Sequence, residues 1–186
     1  AGPEDMDIKQ DIFGRLDELA PDDAILATNT SGLSITEIAT AVDDPGRVVG
    51  AHWFNPPYIM PLVEVVQGEE TDEDVADEVY EFLESIGKSP VAVKKDIPGF
   101  IANRLQLAMD YEAWSLLDRG VASAEDIERA VRAGFGLRIP ALGVFKKSDF
   151  GGLDVFHELQ SYLTEELDRG TEPSETIEEL VSEGKY

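Results

Sequence analysis

Apolar side chains recur at Ile8, Ile12, Phe13, Leu16 and Leu19, a spacing near 3.6 residues that predicts an amphipathic helix ending before Pro21. The short apolar run from Ala24 to Thr28 predicts a strand, closed by the polar stretch Asn29-Thr30-Ser31-Gly32. Ser34 and Glu37 have the spacing of a capping box, which predicts a helix through Val42. Arg47 to Ala51 and Leu62 to Val66 read as two more strands, the first ended by His52 and the turn-making Asn55-Pro56-Pro57. Thr71 to Asp74 would cap a helix running to about Ile86, stopped by Gly87, and Pro90 to Val93 would be a fourth strand. Strands this apolar, alternating with helices, predict a parallel sheet covered on its faces: an α/β fold.

From Asp96-Ile97-Pro98-Gly99 onward every periodic segment reads as helix, so a domain boundary is expected there, with 1–97 an α/β domain and 98–186 all-helical. Phe100 to Arg119 carries one stripe of Ile101, Leu105, Ala108, Met109, Ala113, Leu116 and Leu117 and a second of Phe100, Leu107 and Trp114. A helix apolar on two faces is expected to be buried between neighbours. Ser123 to Asp126 would cap another helix, and Gly152 to Leu167 and Ser174 to Val181 would supply two more. Gly134-Phe135-Gly136 follows a helix, lacks a third glycine and runs into Pro140, so it reads as a helix stop and turn rather than a phosphate loop.

Charge narrows the function classes. Asp and Glu number 39 against 15 Lys and Arg, a formal net charge of −24. A field of that sign repels phosphate backbones and anionic lipid heads, so neither nucleic acid nor a membrane surface is an expected partner. The acid excess is spread along the chain, which suggests adaptation to high salt, where screening removes the self-repulsion. With no Cys and two His, a thiolate or His-rich metal site is excluded, and no metal is expected. No apolar run is long enough to span a membrane, and a soluble, cytoplasmic protein is expected.

In an open parallel sheet the reacting groups gather beyond the carboxyl ends of the strands. Asn29, Thr30 and Ser31 end one expected strand and His52 with Asn55 ends the next, so an amide, a hydroxyl and an imidazole would meet in one cleft. Glu64 interrupts the run Leu62-Val63-Glu64-Val65-Val66, where an unpaired carboxylate would be costly to desolvate. An imidazole is a natural partner: a carboxylate accepting the His N–H fixes the tautomer and stabilises the imidazolium formed on taking a proton. A structural hydrogen bond or an exposed strand edge would explain Glu64 as well. Asn103 lies on the Phe100, Leu107 and Trp114 stripe, either satisfied in a core or aimed at a cleft. His157 sits in an acidic amphipathic segment and reads as a surface or packing residue. Asn29-Thr30-Ser31 also fits a glycosylation sequon, which has no meaning without secretion.

Taken in order, NTSGLSI, GAHWFNPP, PLVEVV, GKSPVAVKKDIPGFIANRLQ, GVASAEDIERAVRAGFG and a late GGLD resemble the 3-hydroxyacyl-CoA dehydrogenase family over nearly the whole chain. The resemblance implies a Rossmann-like NAD-binding domain joined to a helical domain that forms a homodimer. It implies NAD-dependent oxidation of the 3-hydroxyl of an (S)-3-hydroxyacyl-CoA. His52 would be the general base and Glu64 the carboxylate that orients it, Ser31 and Asn103 would hydrogen-bond the reacting oxygen, and Asn55 would support the His52 loop. Glu4, Lys9, Asn29 and Ser31 would lie near the nicotinamide end of the cofactor. HWFNPPYIMPLVEVV and GFGLRIPALG resemble equally the branch with L-gulonate 3-dehydrogenase and lambda-crystallin, which implies a small 3-hydroxy acid as the alternative substrate.

The family opens with a strand and a Gly-rich turn that holds the pyrophosphate, whereas AGPEDMDIKQ matches the family's middle. The chain is therefore expected to be a fragment carrying the C-terminal part of the Rossmann-like sheet, holding NAD weakly by itself. Two further readings stand beside the enzyme: an inactive dimeric helical module with half a cofactor site, and a polyanionic scaffold, which explains the charge but not His52, Glu64 and Asn103.

Overall fold

The computed structural model describes residues 2–167 and 173–184, and the last two positions of the expected helical domain lie outside the described residues. The chain divides into two compact units, Ala1–Leu105 and Gln106–Tyr186.

The first unit opens with helix α1 (Met6–Leu19), whose N-cap Asp5 accepts from the Ile8 N–H. Strand β1 (Leu26–Thr28), helix α2 (Ile35–Ala39), strands β2 (Val48–Trp53) and β3 (Leu62–Gln67), helix α3 (Glu73–Ser85) and strand β4 (Ser89–Val93) follow. The strands form one sheet in the order β1-β2-β3-β4. β1 pairs with β2 and β3 with β4 in parallel, but β2 and β3 are antiparallel. The α/β class agrees with the sequence pattern; the all-parallel sheet and the strict alternation of strand and helix do not. A parallel crossover needs about a dozen residues or more, and residues 54–61 form a helix-free loop too short for one.

Helices cover both faces of the sheet. On one, Phe13 of α1 and Ile35 and Ile38 of α2 pack with Val48, Val66 and Phe100; on the other, Ala76 and Leu83 of α3 pack with Val49, Val63 and Val65. Burying each large apolar side chain contributes about 1.5–3 kcal/mol. Gly50, in the middle of β2, is the close-approach point: a Cβ there would sit 2.8 Å from Ile35 Cδ1 and 2.9 Å from Val66 Cβ. Arg47, just before β2, is buried and bonds the Pro21 and Ala24 carbonyls and Asp17, fastening α1 and the turn after it to the sheet.

Local differences from the sequence pattern have local causes. α2 stops at Ala39 because Thr40, Ala41 and Val42 tighten into i→i−3 bonds. The hydroxyl of Thr71 does not cap α3; it donates to the Val48 carbonyl and accepts from Gly68 N–H, leaving Asp72 as N-cap without a side-chain bond. β2 runs on through His52 and Trp53, so His52 stands within the strand rather than after it.

Helix α4 (Ala102–Asp118) contains the division between the units, and α5 (Ala124–Ala133), α6 (Ile139–Gly151), α7 (Leu153–Leu163) and α8 (Glu175–Ser182) belong to the second. Ser123 caps α5 by accepting from Asp126 N–H. Asp118 of α4 accepts from Thr176 N–H at the start of α8. α6 is absent from the sequence reading because Pro140, taken there as a stop, occupies the helix's first turn, where its missing N–H costs nothing, and because Gly143 at φ +70° breaks the periodicity. The expected burial of α4 is also corrected: Ser115 is its one buried residue among those described, and Leu105 and Leu107 are 60% and 64% exposed.

Candidate active site

Antiparallel pairing sets His52 of β2 directly opposite Glu64 of β3. Both side chains are buried, and Nδ1 of His52 lies 2.8 Å from Oε2 of Glu64. The other carboxylate oxygen, Oε1, accepts the backbone N–H groups of Ile101 and Ala102, each at 2.9 Å. Those two N–H groups open α4 and have no partner within the helix, so one carboxylate joins the imidazole to a helix N-terminus. Burial alone would raise the Glu64 pKa; the His52 ring N–H and the Ala102 and Ile101 amides outweigh it and hold the carboxyl below its ordinary value. An ionised carboxylate only accepts, so the hydrogen between the two side chains sits on Nδ1, and in the neutral imidazole it is Nε2 that carries the lone pair able to take a proton.

Aromatic rings define the sides of the imidazole. Phe54 lies with its centroid 4.4 Å away in a tilted arrangement, and Phe100 stands edge-on at 5.6 Å. Phe100 is fully buried in the left-handed region, φ +51°, directly after Gly99 at φ +76°. A non-glycine residue in that region stores on the order of 1–3 kcal/mol, and here the strain turns the chain so that the next two amides face Glu64.

A second polar cluster follows β1. Oε1 of Glu4 accepts the Thr30 hydroxyl and the Ser31 and Gly32 N–H groups, the last two at 2.7 and 3.1 Å. Burial works to raise the Glu4 pKa, but those bonds and the Lys9 ammonium, 3.9 Å from Oε2, lower it. Lys9 is buried, with the Gly2 carbonyl 3.5 Å from Nζ. Oδ1 of Asn29 accepts from Trp53 N–H at 2.8 Å, extending the β1–β2 pairing by a side chain.

Asn103 links the two clusters, its Nδ2 donating to the Ser31 carbonyl at 2.8 Å. His52 and Glu64 form one hydrogen-bonded group in the first unit and Glu4, Ser31 and Asn103 a second, with Lys9 paired to Glu4 at 3.9 Å and Asn29 bonded to the backbone of Trp53, the residue after His52. Asn55 joins neither: its side chain is exposed and makes no hydrogen bond among the described residues. Among the described residues the Ser31 hydroxyl and the Asn29 Nδ2 make no hydrogen bond as donors, and Lys9 has only long contacts, a set suited to an amide-bearing ring with a nearby negative charge.

The sequence reading passes over Thr30, which is fully buried and also accepts from Leu33 N–H at 3.0 Å; the Asn-Thr-Ser-Gly composition is an ST-turn signal that points to it. It passes over Asp96 too, whose Oδ2 accepts the Ser34 hydroxyl and Thr36 N–H at 2.7 and 2.8 Å and so fastens α2 to the segment before α4. Nothing in the local pattern marks that contact, which spans about sixty residues of chain.

The family model described as 3-hydroxyacyl-CoA dehydrogenase, NAD binding domain, matches residues 1–97, and the one described as 3-hydroxyacyl-CoA dehydrogenase, C-terminal domain, matches residues 99–186. A 5-formyl-3-hydroxy-2-methylpyridine 4-carboxylate 5-dehydrogenase from Mesorhizobium japonicum is 38% identical over 184 residues, 99% of this chain and 60% of the relative. A 3-hydroxybutyryl-CoA dehydrogenase from Clostridioides difficile is 45% identical over 167 residues, 90% of this chain and 58% of the relative. A crystal structure of the former activity, described as an NAD+-dependent dismutase, superposes with a TM-score of 0.95 at 38% identity, covering 99% of this chain and 60% of that one. The chain spans about 60% of the length of these relatives.

Proposed function

The chain belongs to the 3-hydroxyacyl-CoA dehydrogenase family, and on that premise we propose that it carries the catalytic residues of an NAD-dependent dehydrogenase that oxidises the 3-hydroxyl of an (S)-3-hydroxyacyl-CoA to the ketone. The observation that carries the reading is the buried His52–Glu64 hydrogen bond, which leaves Nε2 as a base. In this reading His52 takes the hydroxyl proton on Nε2, and the Glu64 carboxylate stabilises the resulting imidazolium without accepting the proton itself. Asn103, already oriented by the Ser31 carbonyl, has a second N–H with which to hold the reacting oxygen, and the Ser31 hydroxyl is a second donor for it. Glu4, Lys9 and Asn29 would hold the nicotinamide end of NAD, where the donors described above would suit its carboxamide. NAD bound there would supply the hydride acceptor for the carbinol carbon.

A second reading keeps the same proton chemistry with a small hydroxy acid in place of the thioester. What supports it is the similarity, at a TM-score of 0.95, to an enzyme whose named substrate is a free carboxylate without CoA, the group at the position named for dehydrogenation there being a formyl. The test is NADH formation by the gene product that carries this chain, with (S)-3-hydroxybutyryl-CoA compared against 3-hydroxybutyrate and L-gulonate. A preference for the thioester supports the first reading, a preference for a free acid the second, and no turnover with any hydroxy substrate overturns both.

We also infer a homodimer through the helical unit. Phe145 and Phe150 of α6 are 86% and 79% exposed, together with Leu105 and Leu107 of α4 and Leu153 of α7. Apolar surface on that scale is uncommon on a monomer.

A further inference from the structure

We propose that Lys88 is a positioning residue of the His52 site, a staple that fixes the loop after β2 and, through it, the ring of Phe54 against the imidazole. The proposal rests on the reading of His52 as the base. Gly87, at φ +80°, ends α3 in a tight turn and delivers Lys88 to the first residue of β4, where Lys88 N–H donates to the Leu83 carbonyl and Ser89 N–H to the Pro61 carbonyl. From there the ammonium reaches back across the sheet edge. Its Nζ donates to the carbonyls of Pro57 and Met60 and lies 5.0 Å from the centroid of the Trp53 ring. One cation therefore holds both halves of the 54–61 loop and the residue that follows His52, with carbonyl dipoles and an aromatic face as its partners.

The loop's other bonds are two internal ones, from Ile59 and Met60 N–H to the Pro56 carbonyl, and the Ser89 bond at its last residue, so among the described residues Lys88 is what ties the middle of the loop, Pro57 to Met60, to the sheet edge. Phe54 opens this loop, and its ring is 4.4 Å from His52. A neutral side chain at position 88 would leave the Pro57 and Met60 carbonyls to water, loosen the loop between Phe54 and Met60, and let the Phe54 ring leave the imidazole. Lys88 belongs to the Gly87-Lys88-Ser89-Pro90 motif, for which the dehydrogenase reading supplies no role.

The two histidines make a direct test possible, because His157 is exposed on α7 and serves as an internal reference. In the Lys88→Met chain, the His52 ring-proton NMR signals are expected to shift away from their ring-current-displaced positions and the His52–Phe54 Overhauser contact to weaken, with the His157 signals unmoved. Lys88→Arg, which keeps the charge and the donors, is expected to preserve both. Unchanged His52 signals in Lys88→Met overturn the proposal. If Lys88→Met does not fold, Lys88→Gln takes its place with the same two outcomes. In the active gene product, Lys88→Met should lower kcat by about tenfold or more with the cofactor KM unchanged. A wild type without dehydrogenase activity would defeat the functional reading, while the NMR comparison would still decide the role of Lys88.

Discussion

His52 and Glu64 face each other across the β2–β3 ladder, hydrogen-bonded at 2.8 Å and both closed off from solvent. The carboxylate also receives two amides from the start of α4, so any force that shifts α4 or its preceding turn is felt at the imidazole. The pair is thus a mechanical joint as well as the proposed acid–base unit.

If the two residues act as one unit, their losses are not independent. Glu64→Gln must turn its NH2 either to Nδ1, where a bond survives only with the tautomer reversed, or to the two α4 amides, where both of their bonds are lost. His52→Gln and Glu64→Gln are each expected to lower kcat, and the double variant to lose less than the product of the singles, with a coupling of about 0.5–3 kcal/mol. Steady-state kinetics of the four proteins measure it; multiplicative losses would show that the pair does not act together.

The acid limb of stability should carry the signature of Glu64. Its folded-state pKa lies below the unfolded value, so the stability it confers is present above the unfolded pKa, about 4.3, and is lost as pH falls through the folded one. Glu4 is shifted the same way by its Thr30, Ser31 and Gly32 bonds once burial is overcome. Urea midpoints measured between about pH 5 and 3 should therefore fall, and fall less steeply in Glu64→Gln than in the wild type. Equal slopes would place the Glu64 pKa at its ordinary value.

Gly50→Ala tests the packing that sets β2. With Ile35 Cδ1 at 2.8 Å and Val66 Cβ at 2.9 Å from the added methyl, α2 or β3 must yield, and a loss of about 1–3 kcal/mol is expected by chemical denaturation. Because Gly50 lies two residues before His52 on β2, the His52 NMR signals should move as well. A neutral Gly50→Ala would mean that α2 sits further from the sheet.

Salt should act on the whole chain. A net charge of −24 is screened to within about 3 Å at molar ionic strength, so the thermal midpoint is expected to rise with potassium chloride, and light scattering in molar salt to report a dimer. A midpoint independent of salt would remove the high-salt reading, and a monomer would remove the helical interface.

The elements of the first unit were legible because each carries its own signal: the 3.6-residue spacing of α1, the capping Ser34, the apolar runs of β2 and β3. Glu64 stood out for a physical reason, since a carboxylate in such a run needs partners. Pairing direction was not legible, because it depends on the 54–61 loop being short and helix-free rather than on the strands it joins. The αL turn at Phe100 and the reach of Lys88 were hidden for a similar reason: both are settled by contacts between segments far apart in sequence, and neither leaves a periodic trace. In the second unit, Pro140 and Gly143 masked α6 by interrupting the pattern that marks a helix.

The most direct test is oxidation of (S)-3-hydroxybutyryl-CoA, followed as NADH absorbance, by the gene product that carries this chain and by its His52→Gln variant. Loss of the general base is expected to lower kcat by about a hundredfold or more while cofactor affinity stays nearly unchanged. Turnover by His52→Gln at the wild-type rate would contradict the assignment of His52 as the base.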